Sequence, residues 1–256
     1  MLFLSALLNT MPALPAQSAE PKYQGRSLSK WLSTYRDAGT DTAEEKRASE
    51  AVRAIGTNGI PNLLRMLTND DLQVQMDAKN GFTILGPTAA PAVPVLATLL
   101  ASTNEVYLFM GAQALGEIGA PAFPALMQAM TNRHFKVATQ AYLAIGALGT
   151  NAKPAIPILL HDLQHPNHFY RERAADALGR LHIEPELVVP ALTNLLTDPS
   201  LAARHLAIQS LGRFGPEAKS AVPAITPFLT NSELDTTAKE ALRAIAPEAL
   251  TNTPPK

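Results

Sequence analysis

The sequence contains no cysteine. That removes disulfides, thiolate metal sites and cysteine nucleophiles, and it leaves the redox compartment open. Aromatics are scarce at 5%, with a single tryptophan, and the acidic and basic residues balance to a net charge of −1. Few aromatics beside 46% hydrophobic residues fit helix-on-helix packing better than a sandwich or a barrel. A near-neutral chain lacks the basic field that general nucleic-acid or anionic-membrane binding requires, so no nucleic-acid partner is expected. The sequence carries no glycine-rich phosphate loop, no G-x-S-x-G elbow and no pair of carboxylates placed at one locus. Acyl transfer and nucleotide chemistry therefore have no visible machinery.

What the sequence does hold is a repeat. Ala141 to Leu160 reads AYLAIGALGTNAKPAIPILL: a small-residue helix face, a glycine, a short loop, a proline and a leucine-rich helix. Copies of it fill most of the chain. The first glycine after each apolar run falls at Gly56, Gly86, Gly116, Gly146, Gly179 and Gly212, with Ala246 in seventh place, at steps of 30, 30, 30, 33, 33 and 34 residues. Regular spacing on this scale marks a solenoid of stacked hairpins. Each glycine follows a large aliphatic: Ile55, Leu85, Leu115, Ile145, Leu178 and Leu211, with Ile245 before Ala246. Five positions before each stop sits a small residue: Ala51, Gly81, Gly111, Ala141, Ala174, Ala207 and Ala241. Two before it the residue is small again (Ala54, Ala114, Ala144, Ala177, Ser210, Ala244), with Ile84 the exception. Offsets of three and four share a helix face, so each first helix presents a stripe against which a neighbour can pack closely. The glycine is expected to end that helix through the left-handed conformation.

The second helix of each hairpin is marked by Pro61, Pro94, Pro124, Pro157, Pro190 and Pro223, in the first turn where no backbone donor is lost. Two residues on comes an aliphatic every time: Leu63, Leu96, Leu126, Leu159, Leu192 and Ile225. The pattern A-x-x-A-[IL]-G, loop, P-x-[LI]-x-x-x-[LM] resembles the HEAT-repeat family, in particular the short bacterial variety related to the HEAT-like repeats of phycobilisome lyases. The resemblance covers roughly Asp41 to Leu250. It implies an all-α fold, an α-α superhelix of the HEAT or armadillo type built from about six hairpins, with the second helices lining the concave face. It implies little about activity, because the matching residues are packing residues.

Residues 1–19, MLFLSALLNTMPALPAQSA, read as a secretory signal: an apolar run from Leu2 to Leu8, helix-breaking Pro12 and Pro15, and a small-x-small site at Ala16-Gln17-Ser18. No Lys or Arg precedes Lys22, which departs from the usual basic start. The apolar run is too short to cross a bilayer, and no membrane span is expected. An exported location, periplasmic or extracellular, follows if the signal is genuine, and a cytoplasmic one otherwise. Residues 20–40 form a non-repeat segment in which Leu28, Trp31, Leu32 and Tyr35 share one helical face behind Ser27 as N-cap. Such a helix caps the apolar end of a solenoid, or else presents Trp31 as a ligand platform. The solenoid proper runs over 41–250, opening on a capping box Thr42-x-x-Glu45. A frayed tail follows at 251–256.

Two clusters invite a chemical reading. HDLQHPNH places His161, His165 and His168 near Asp162, and a spacing of four puts His161 and His165 on one helix face, as metal ligands require. Pro166 interrupts that helix, and polar loop histidines are the plainer reading. The six histidines are followed by Phe, Asp, Pro, Phe, Ile and Leu, so the His-Glu pairs of deoxyhypusine hydroxylase, a HEAT enzyme, are absent. The HEAT-like DNA glycosylases need a basic, aromatic-bearing groove, which this chain also lacks. Arg171, Arg173 and Arg180 form the densest cationic stretch, either a solvated face or an anion site.

The chain is therefore expected to be a non-enzymatic scaffold binding a protein or peptide, with no cofactor and no metal. The alternatives are a HEAT-type enzyme or metal protein using the His161, His165 and His168 loop, and a structural spacer. Within each second helix the proline plus two and plus six positions should pack inward, leaving plus four to face out. That column reads Arg65, Thr98, Gln128, His161, Asn194 and Pro227. It is polar and almost uncharged, which suits hydrogen bonding to a neutral partner, with His161 near its centre, better than binding a polyanion.

Overall fold

A computed structural model describes residues 19–251 apart from 40 and 133. The signal reading at 1–19 falls almost wholly outside the described residues, and so does the frayed tail beyond 251. The fold is all-α, a HEAT or armadillo-type solenoid. It divides into two compact units, with the boundary after residue 141.

The first unit opens on a two-stranded antiparallel hairpin that the sequence reading missed, β1 (Lys22–Tyr23) with β2 (Arg26–Ser27). Its turn is Gln24-Gly25, both at positive φ (48° and 77°), the geometry in which a two-residue loop matches strand twist. Then come α1 (Leu28–Asp37), α2 (Thr42–Ile55), α3 (Ile60–Leu67), α4 (Leu72–Leu85), α5 (Val93–Leu99), α6 (Glu105–Ile118) and α7 (Phe123–Met130). α8 (Phe135–Gly146) carries the boundary. The second unit continues with α9 (Ile156–Asp162), α10 (His168–Leu181), α11 (Pro185–Asn194), α12 (Leu201–Arg213), α13 (Val222–Ile225), α14 (Asp235–Ile245) and α15 (Glu248–Thr251). Among the described residues seven first helices alternate with six second helices, as the repeat requires.

The capping segment does what the sequence asks of it. Ser27 Oγ accepts from Lys30 N at 3.4 Å, and Leu28, Trp31 and Leu32 are buried. Trp31 is only 2% exposed, its Nε1 donates to Tyr23 O at 3.0 Å, and the Arg26 guanidinium lies 5.0 Å over its ring. It is a core residue, which rules out a ligand platform. Asp41, not Thr42, caps α2: its carboxylate accepts from Ala43 N and Glu44 N at 3.0 and 3.1 Å. An ionised carboxylate at a helix start outcompetes the neighbouring hydroxyl for the same free donors. Asp71, Asn104, Asn167 and Ser200 cap later first helices in the same way.

The packing positions hold. All seven large aliphatics before the stops are buried, as are all seven small residues four positions earlier. So are the six aliphatics two residues after each marker proline. Two of the small residues expected to pack, Ala54 and Ala244, are instead exposed. They belong to α2 and α14, the first and last of the repeat helices.

The stops are where the reading fails. Gly56 (φ +58°) and Gly86 (φ +50°) do end α2 and α4. In the next four repeats the left-handed residue comes three positions later, at Gly119, Gly149, His182 and Gly215. In three of those repeats the earlier glycine, Gly146, Gly179 or Gly212, serves close contact instead. A Cβ on Gly179 would sit 2.3 Å from Ser210 Oγ and 2.8 Å from Ser210 Cα, and one on Gly212 would sit 3.0 Å from Ala241 Cα. Glycine answers two different needs, close approach and positive φ, and the sequence shows only the letter. Pro190 is a second correction. α11 begins at Pro185, after Glu184 in the left-handed region, so Pro190 sits inside the helix rather than at its start.

With the true stops, the distance from left-handed residue to marker proline is five residues in two hairpins and eight in four. Three of the longer connectors contain seven-residue 3₁₀ segments, Gly86–Ala92, Gly149–Ala155 and Gly215–Ala221. The stretch Leu72–Leu99 is long and apolar enough by composition to cross a membrane. It is however a folded hairpin, with Gly86 turning the chain between α4 and α5, and so not the continuous rod a span requires.

Candidate partner-binding surface

In the first unit Thr98 and Gln128 are exposed on α5 and α7, while Arg65 on α3 is half-buried. Thr98 Oγ1 is turned back on Val95 O at 2.7 Å, whereas the Gln128 side-chain amide makes no hydrogen bond among the described residues. In the second unit His161, Asn194 and Pro227 are exposed. His161 is 83% exposed at its side chain and lies 3.5 Å from Asp162 Oδ1. The inward partners of this register, Leu159 and Leu163 on one hairpin and Leu192 and Leu196 on the next, are buried.

Asn194 also lines an open cleft of about 570 Å³ between the end of α9 and α11, with Leu163, His165, Arg171, Thr197 and Asp198. Its polar wall is tightly built. Arg171 Nε and Nη2 reach Asp198 Oδ2 and Oδ1 at 2.6 and 2.8 Å, and Nη1 donates to His165 O and Pro166 O at 2.8 and 3.0 Å. One repeat later Arg204 Nη1 donates to Asp198 O and Pro199 O at 2.6 and 3.2 Å, the same clamp on the equivalent loop. Burial alone would raise the Asp198 carboxyl, but the hydrogen bonds from Arg171 and Ser200 N outweigh it and hold it below the ordinary carboxylate range.

The three loop histidines do not converge. His165 lies against Tyr170 with centroids 4.4 Å apart and the rings tilted by 51°, while its Nδ1 accepts from Asn167 N at 3.1 Å. His168 Nδ1 meets Glu172 Oε1 at 2.8 Å, and that oxygen also accepts from Ser200 Oγ at 2.8 Å. Asp162, the carboxylate nearest His161, takes the buried Tyr142 hydroxyl at 2.5 Å. Burial, then that hydrogen bond, push the Tyr142 phenol far above its ordinary value. Among the described residues no three His, Asp or Glu side chains form a group that could hold a metal.

Two of the three arginines of the cationic stretch, Arg171 and Arg180, pair with carboxylates, while the Arg173 guanidinium lies 5.9 Å from the centroid of the Phe169 ring. Arg171 is spent on Asp198, and Arg180 joins Arg213 on Asp176, at 2.8 Å each. Burial again opposes ionisation at Asp176, and the hydrogen bonds from Arg213 and Arg180 overcome it and lower its pKa. The signal for the two arginine clamps on loop carbonyls lay in the repeat itself: HPNHFYR and DPSLAAR place an arginine five residues after each loop proline.

The repeat geometry is matched by sequence comparison. The family model for HEAT repeats matches residues 92–179 and, overlapping, 156–246, more than half of the sequence. The chain belongs to the HEAT-repeat family. No curated protein matches it. Among solved structures, importin beta is similar at 14% identity and a TM-score of 0.54, over 89% of this chain and 36% of that one. Kap121p bound to Nup53p is similar at 15% and 0.53, over 88% and 30%. This HEAT chain thus spans about a third of the length of those relatives, and at such identities the likeness is one of fold. The complex of CpcE and CpcF of phycocyanin lyase from Nostoc sp. PCC7120 aligns over 93% of this chain and 97% of that one at 21% identity, with a TM-score of 0.42.

Proposed function

We propose that this HEAT solenoid is a non-enzymatic scaffold that holds an extended, near-neutral segment of a protein partner along the outward positions of its second helices. The observation that carries the reading is the exposed polar register, Thr98 and Gln128 in the first unit and His161 and Asn194 in the second, each set between buried apolar residues of its own hairpin. Gln128 and Asn194 offer amides that can both donate and accept, as a partner's backbone demands. A protein of this fold, Kap121p, is known bound to Nup53p, which supports a binding role. The separate engagement of His165 and His168 supports binding over catalysis.

The test replaces Gln128, His161 and Asn194 together by Glu and places a photo-crosslinking residue at position 128 or 194. Crosslinks to one partner from these positions, lost in the triple variant while the melting temperature holds, are the expected result. Undiminished capture by the folded triple variant would move the binding surface elsewhere. We further propose export, on the strength of the apolar run and the Ala16-Gln17-Ser18 site; mature protein from the native host should then begin near Ala19 or Glu20, and intact Met1 on cytoplasmic protein would overturn it.

A further inference from the structure

The first unit contains a second cleft, of about 290 Å³, where the capping segment, α3 and α4 meet. Its walls include Glu20 from the capping segment, Asn62, Arg65 and Met66 from α3, and Val74 and Asp77 from α4. Asn62 and Asp77 are 8% and 6% exposed, yet Oδ1 of each has no hydrogen-bond partner among the described residues. Buried polar atoms are almost always satisfied, and an orphan acceptor is costly, more so when it belongs to a carboxylate. Two such acceptors on neighbouring elements lining one cleft ask for a ligand rich in donors. The other Asp77 oxygen is already taken by Arg36 Nη1 at 2.6 Å, and Glu20 Oε1 by Ser29 N at 2.5 Å, so both carboxylates are held in place.

An ammonium group carries three N–H donors and no acceptor, which matches Asn62 Oδ1 and Asp77 Oδ1 together with the Glu20 carboxylate. Met66 and Val74 supply an apolar wall for the carbon atoms that carry it. We propose that this cleft binds a primary ammonium group on an aliphatic stem. Two sources share that chemistry: the side chain of a lysine in a protein partner, and a free aliphatic amino acid. In the second case Arg65, which makes no ion pair among the described residues, takes the carboxylate. The site meets the outward register only at Arg65; its two orphan acceptors, on the buried Asn62 and Asp77, do not belong to that register.

The test is an NMR titration of the full chain with three probes: Nα-acetyl-lysine methylamide, L-leucine, and Nα-acetyl-norleucine methylamide as the uncharged control. A saturable shift of the Asn62 side-chain amide with acetyl-lysine methylamide assigns the site to a partner's lysine. The same shift with leucine, lost in Arg65→Met, assigns it to a free amino acid. Asn62→Leu should weaken either interaction at least tenfold while the circular dichroism spectrum is unchanged, and Asn62→Ala serves if the leucine variant does not fold. The proposal is overturned if neither amine shifts the amide, if the norleucine control shifts it equally, or if the Asn62 variants bind unchanged.

Discussion

At the scale of single residues, the deciding contrast is between two uses of glycine. Gly179 and Ser210 meet where α10 and α12 touch, and Ser210 fits there because its hydroxyl donates to Ala175 O at 2.8 Å. In an unhindered helix interior Gly→Ala would stabilise by about 1 kcal/mol. Here the added methyl meets backbone, so Gly179→Ala should instead cost about 1–3 kcal/mol, the range for overpacking. Urea denaturation measures it, and Ser210→Gly in the same chain should restore part of the loss. A neutral or stabilising Gly179→Ala would mean the two helices are not in such close contact. At Gly56 the penalty has another origin: a Cβ there meets nothing within 4 Å, and only φ +58° resists the substitution.

At the scale of elements, the hairpins, their alternation and their buried faces were legible in the sequence, since hydrophobic spacing follows directly from which side of a helix is covered. The helix ends and the ion pairs were not. Ends depend on which residue carries positive φ, Arg171 of α10 depends on a carboxylate in the next repeat, and Asp176 of α10 draws in Arg213 from that repeat. The outward register could be read from the inward one, because leucines at plus two and plus six fix the face between them. The orphan acceptors at Asn62 and Asp77 could not, since nothing local in either helix announces that the two residues line one cleft. The Arg171 clamp gives a prediction at this level. The folded pKa values of Asp176 and Asp198 lie below the ordinary carboxylate value, so their contribution to stability is complete above about pH 4 and is lost as the pH falls through the folded values. Denaturant midpoints measured from pH 6 down to pH 2 should decline over that acid range. Asp198→Asn should flatten part of the decline, and it should lower stability at pH 6 by about 3 kcal/mol or less, because it leaves a largely buried Arg171 without its charge partner. An identical acid profile in the variant would assign the decline to other carboxylates.

At the scale of the whole molecule, a repeat protein transmits stability only between neighbours. Leu178 and Leu192 are fully buried within the second unit. Truncating either to Ala should cost about 2–5 kcal/mol. Hydrogen exchange should show the loss first in α10, α11 and α12, with α2, α4 and α6 keeping their protection. A uniform loss across both units would mean that the chain unfolds as one cooperative block. A change below about half a kilocalorie at both leucines would mean that they are not core residues, since changes that small belong to the surface.

The two connector lengths, five and eight residues from left-handed residue to marker proline, carry a rule about which length changes this chain can accept. A 3₁₀ segment completes one turn in three residues and rises about 6 Å in doing so. Adding or removing three residues therefore moves the following helix along its axis and brings it back to the same rotation, with its leucines still facing inward. One or two residues would leave it turned by about 120° or 240°, placing polar side chains such as Gln128 against the core and leucines in water. Insertions and deletions between the two helices of a hairpin should thus be tolerated in threes, a reading frame written in helical turns rather than in codons.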